Sequence, residues 1–174
     1  MISIAARTTG LAALLALTMT QVARAEPVQP GVEYPGGTKV EPPGQEVSFT
    51  IPEGWKGILP QGATFFVMGS EAQKSYVFVI VDKLTQEKAM ANMKKPLELG
   101  NGLTLQLNGN VQQQEDTLTG SYDVVGAGKP LKGYVETLVG KRGTGVSYVA
   151  IGAPETAASV VDVVHTLVEN TALP

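Results

Sequence analysis

PETAASVVDVVHTLVEN, residues 154–170, has two readings, a short strand around the valines at 160–164 or an amphipathic helix, and the choice settles what kind of molecule this is. At about 100° per residue, Ala157, Val160, Val161, Val163, Val164, Leu167 and Val168 fall in one arc, with Glu155, Ser159, Asp162, Thr166 and Glu169 opposite. Pro154 suits the first helical position, and Glu155 favours the positive end of the helix dipole. Five valines depress helix propensity, so a helix here depends on laying its stripe against a sheet. The spacing predicts that helix.

Upstream, the sheet it needs is written in alternation. Val47, Phe49 and Ile51 alternate with Ser48 and Thr50, and Pro52-Glu53-Gly54-Trp55 turns the chain. Further strand-like runs lie at 64–68, 75–81, 103–107, 111–114, 118–125, 131–139 and 146–151, punctuated by Asn108-Gly109, Gly126-Ala127-Gly128 and Gly140-Lys141-Arg142-Gly143. Links this short imply antiparallel neighbours, so residues 102–152 read as a meander of hairpins. One more segment, 85–95, reads as a helix. Thr85 takes the cap position, Glu87 lies in the first turn, Ala89, Met90 and Met93 share a side, and Pro96 forces the exit. The fold class is therefore α+β, an antiparallel sheet with helices packed on it.

The front of the chain reads differently. Residues 1–25 have a short basic start with Arg7, the apolar run LAALLALTM at 11–19, and Ala23-Arg24-Ala25 as a small-residue cleavage site, the order of an export signal. That run is shorter than the roughly 20 apolar residues a bilayer-spanning helix needs, so cleavage after Ala25 and no span in the mature protein are expected. A periplasmic or secreted location follows. Residues 26–44, EPVQPGVEYPGGTKVEPPG, hold five prolines and four glycines and little aliphatic content, which predicts a disordered tail or linker ahead of a single domain over 45–174.

The chain has 174 residues; of 13 basic and 16 acidic side chains, Arg7 and Arg24 would leave with the signal, for a mature balance of −5. That leaves no basic footprint for nucleic acid. Cysteine is absent and histidine occurs once, which removes thiolate chemistry, disulfides and the usual Cys/His zinc sites. No cofactor and no metal are expected.

The residues Phe49, Ile51, Pro52, Gly54 and Trp55 (F-x-I-P-x-G-W), followed by a middle helix, a run of antiparallel strands and a closing amphipathic helix, resemble the Mog1/PsbP-like superfamily, which includes bacterial secreted PsbP-like and DcrB-like proteins. The resemblance covers residues 46–173. It implies an α/β/α sandwich about an antiparallel sheet, and a family of mostly accessory, assembly or binding proteins with no common catalytic residues. The chain departs from many bacterial relatives in lacking a lipobox cysteine, and nothing in it points to photosynthesis. No functional residue carries over.

Every His-dependent mechanism must pass through His165, which sits at the border of the stripe between Asp162 and Glu169 and is expected to pair with these helix neighbours. The nearest approach to a nucleophile elbow, Gly145-Val146-Ser147-Tyr148-Val149, lacks its final glycine and lies mid-strand, which disfavours a Ser147, Asp162, His165 triad. The loop from Gly140 to Gly145 offers two cations and backbone donors but not the P-loop spacing, so a hairpin explains it. Asp82, Glu98, Asp116, Asp123 and Glu136 form no calcium-loop spacing, and Glu115-Asp116 reads as a solvated turn. Phe49, Phe65 and Phe78 have the spacing of core residues, and Trp55 that of a packing anchor. Tyr134 and Tyr148, on successive strands, are the candidates for a shallow binding groove.

The residues thus assign no catalytic, cofactor-binding or metal-ligating side chain. The expectation is a non-catalytic accessory protein of the bacterial envelope that binds an envelope protein or a small ligand through an uncovered sheet face or loops. A small hydrolase and a lipocalin-like carrier are the alternatives, the latter disfavoured because two helices point to a covered sheet rather than a barrel.

Overall fold

A computed structural model describes residues 24–43 and 46–174. Its elements run β1 (Glu26–Pro27), β2 (Glu33–Pro35), β3 (Lys39–Glu41), β4 (Phe49–Thr50), β5 (Lys56–Ile58), β6 (Phe65–Ser70), β7 (Ser75–Lys83), α1 (Gln86–Met93), β8 (Leu97–Gly100), β9 (Leu103–Gln114), β10 (Thr117–Val125), β11 (Lys132–Val139), β12 (Thr144–Gly152), a 3-10 turn (Pro154–Thr156) and α2 (Ala157–Glu169). Nine strands form one sheet in the order β2-β5-β6-β7-β12-β11-β10-β9-β8, every neighbour antiparallel. The expected α+β architecture holds, and the C-terminal segment coils.

Pleating sends alternate residues to opposite faces, and the two faces build separate cores. On one, Val146, Tyr148 and Ala150 of β12 meet Val160, Val164 and Leu167 of α2. A second sheet, β1-β3-β4, adds Val40 and Phe49 to that layer. On the other face, Val149 and Ile151 join Val135, Leu118 and Leu105 beneath Ala89 and Met93 of α1. Thr85 caps α1 by accepting from the Lys88 amide at 3.3 Å, and the Tyr122 hydroxyl donates to the Met93 carbonyl at 2.7 Å near its other end. No described helix is long and apolar enough to cross a membrane.

Several expectations are corrected. Residues 26–43 are not a loose tail. They supply β1, β2 and β3 and bury Val28, Tyr34 and Val40, with the Tyr34 hydroxyl accepting from the Gln29 amide at 2.8 Å and its ring against Phe66. Apolar content averaged over the segment was low, yet three residues, each seated in the core, suffice to pin it. Asn108-Gly109 does not end a strand; β9 runs through it, and Gly109, at φ 91°, opens a bulge in which three residues face Gly120 alone. Phe65 is exposed and Phe66 takes the core position, because the strand enters one residue out of phase with the assumed alternation. The export signal expected over 1–25 lies, apart from Arg24 and Ala25, outside the described residues.

Candidate functional site

α2 packs on β11 and β12 and stops there, so the same face of β10 and β9 is left without a helix. Between α2 and those strands runs a groove of about 970 Å³. Strand register fixes what lines it. Asn108, Ser121 and Tyr134 lie side by side across β9, β10 and β11, and Gln112, Thr119 and Glu136 form the next row. Val161 and His165 of α2 make the opposite wall.

At the head of the groove three side chains converge. Glu136 is 4% exposed although charged, and its Oε2 accepts from His165 Nδ1 at 2.8 Å and from the Tyr134 hydroxyl at 3.2 Å. A carboxylate only accepts, so Nδ1 carries a proton in this pair, and Nε2 faces away from it. The Tyr134 and His165 rings meet edge to face at 5.7 Å. Burial pushes the Glu136 carboxyl above its ordinary value; the His165 charge and hydrogen bond and the Tyr134 hydrogen bond pull the other way, and the nearby Glu169 adds to the rise. Burial, reinforced by the Glu136 charge, also raises the Tyr134 phenol. Glu136 lines the groove, and its Oε1 receives no hydrogen bond from the described residues.

The sequence candidates fare unevenly. His165 pairs with Glu136 from the sheet rather than with Asp162 or Glu169 on its own helix. Ser147 sits on the α1 face, hydrogen-bonded with Thr137 at 2.9 Å in a hollow beneath Ala89 and Met93, so the sheet itself separates it from His165. In the 140–145 hairpin the Gly140 and Gly143 amides already donate to Thr144 and Gly140 carbonyls at 2.8 and 3.1 Å. Trp55 is the buried anchor expected of it. Tyr134 lines the groove, but Tyr148 is fully buried against Phe49, its hydroxyl hydrogen-bonded with Thr171, and takes no part in the groove. Glu115-Asp116 is the β9–β10 turn, and it forms one end of the groove.

Sequence reasoning missed Glu136 as a partner. Its one signal was local: a carboxylate inside Val135-Glu136-Thr137-Leu138-Val139, a run otherwise fit for burial, needs a hydrogen-bond donor from elsewhere in the fold.

Neither a family model nor a curated protein matches this chain. Among solved structures, the chain is similar to the solution structure of cyanobacterial PsbP (CyanoP) from Synechocystis sp. PCC 6803, at 12% identity and a TM-score of 0.49, over 82% of this chain and 92% of that one.

Proposed function

We propose that this is an exported, non-catalytic accessory protein of the bacterial envelope, which binds a partner protein or small ligand through the open sheet face beside α2. The observation that carries the reading is the groove: a preformed concave surface, lined by side chains that can donate and accept hydrogen bonds, on strands of that face that the closing helix does not reach. Export is supported by the order of basic start, apolar run and small-residue site in residues 1–25.

A hydrolase has one observation in its favour, an imidazole oriented by a buried carboxylate at the rim of a groove. Against it, no hydroxyl among the described residues hydrogen-bonds to that imidazole. Two measurements on the full chain decide. Ester, glycoside and peptide substrates should show no turnover that His165→Ala abolishes. Hydrogen exchange of residues 106–121 should slow on addition of envelope extract. Turnover dependent on His165 would replace this reading with the hydrolase, and exchange unchanged by every extract fraction would remove the binding role.

A further inference from the structure

Ligand pockets are ordinarily apolar with a few polar groups; this groove inverts the proportion. Its floor is a grid in which an amide, a hydroxyl and then Tyr134 or Glu136 follow across three strands, twice over. Strands lie about 4.8 Å apart, so each row offers mixed donors and acceptors at that spacing, and the bulge at 109–111 lies between the two rows on β9. β10 and β11 have both edges occupied by neighbouring strands, so an occupant of this floor is read by side chains and not by strand addition.

Charge narrows the class. The groove contains Glu115, Asp116 and Glu136 and neither lysine nor arginine, which repels phosphates and other anions. Glu136 is more than nine-tenths buried, and Oε1 lacks a protein donor, so it is an acceptor waiting for one. A hydroxyl supplies that donor, and beside it the Asn and Gln amides and the His165 imidazole provide for the rest of a polyol.

A second feature specifies the substituent. The polar floor continues, through Asn108, Ser121, Tyr134 and Val161, into a mainly apolar hollow of about 300 Å³ walled by Ala150, Ala157 and Val160, where the one cation, Lys132, is already neutralised by Asp123 at 2.6 Å. An acetamido group matches this junction in chemistry: Asn108, whose Nδ2 donates to Asp123 at 2.9 Å, keeps its Oδ1 to accept an amide N–H, and the methyl enters the hollow. We propose that the groove binds an uncharged, N-acetylated oligosaccharide across the rows Asn108–Ser121–Tyr134 and Gln112–Thr119–Glu136, with an acetamido group turned into the hollow beneath the start of α2. The assignment rests on the reading above that this groove is the protein's binding site.

The test is calorimetric titration of the full chain with four probes: the N-acetylglucosamine hexamer, cellohexaose, the fully deacetylated glucosamine hexamer, and an end-blocked Gly-Ala hexapeptide. The N-acetylated hexamer should bind saturably and most tightly. Paired replacement of the exposed Asn108→Ala and Gln112→Ala should weaken it about tenfold or more at unchanged thermal stability, the size expected when one or two hydrogen bonds are lost. Glu136→Gln should weaken it as well, by altering the acceptor. No saturable binding of the N-acetylated hexamer, equal or tighter binding of any other probe, or affinity kept within twofold in the double variant would overturn the assignment. Exchange protection of residues 106–121 by envelope extract is a separate readout; if it persists while the sugars fail, the ligand class is wrong and the binding site stands.

Discussion

The two faces of the nine-stranded sheet are each half open, at opposite ends, and the open halves are made of different chemistry. α1 covers β9, β10 and β11 on one face, leaving β6 and β7 to show Phe65, Phe78 and Tyr76, the last 58% exposed. α2 covers β11 and β12 on the other, leaving β9 and β10 to show Asn108, Gln112, Thr119 and Ser121. In the aromatic half Phe65 lies against Phe78 edge-on at 5.9 Å, Tyr76 lies over Gly69, and Phe78 packs sideways against the α1-side core. The polar half needs no shield, because its side chains keep their hydrogen bonds with water. Two short helices cannot roof two broad faces; side-chain chemistry has to match what each helix fails to reach.

The sharpest break of that comparison comes beneath the polar half, where the opposite surface of the same strands is tightly covered. Leu118→Ala, fully buried under α1, should cost about 2–5 kcal/mol in a denaturant melt; a loss near zero would mean that α1 does not clamp the β9–β10 hairpin. Gly57→Ala comes next. Its Cβ would meet the Phe66 ring at 2.4 Å, and the overpacking should cost about 1–3 kcal/mol. A neutral outcome there would show the α2-side core to be looser than the contact implies.

In the open aromatic half, Tyr76→Ser should shift stability by no more than about 0.5 kcal/mol, as for other surface substitutions; a cost of 2 kcal/mol or more would show that half to be covered in solution. The smallest effect is a change of slope. Because Glu136 ionises less readily when folded, its contribution to stability is fully present below the ordinary glutamate value of 4.5 and declines as pH rises through the raised folded value. Tyr134, His165 and Glu169 are the titratable groups that face it. The melting temperature of Glu136→Gln relative to wild type should therefore climb as pH rises from below 4.5 toward neutrality. A falling difference would mean that the His165 pairing outweighs the cost of burial.

Local periodicity made much of this legible. The arc of α2 and the alternation of β7, β10, β11 and β12 are set by neighbours in the chain, and they predicted the sheet, its hairpins and the closing helix. What escaped depends on partners far away. β2 is three residues long and exists because Glu33, Tyr34 and Pro35 pair with β5, some 20 residues on; no window over a proline-rich stretch contains that information. Tyr134 and Tyr148 look alike in sequence, yet the layer that reaches over β12 buries one and leaves the other at the groove. His165 was singled out as the lone imidazole, but its partner Glu136 belongs to a strand two elements away, and only the crossing of α2 over β11 brings them together.

The position of β12 has a consequence for how the molecule is made. It is the last strand of the large sheet in sequence, yet it lies at the middle, between β7 and β11. Until the ribosome has delivered residues 144–152, the two flanking ribbons cannot join, and each keeps an unpaired border along a strand that will end up interior. Closure of the sheet thus waits on residues 144–152, however the strands before them have already paired.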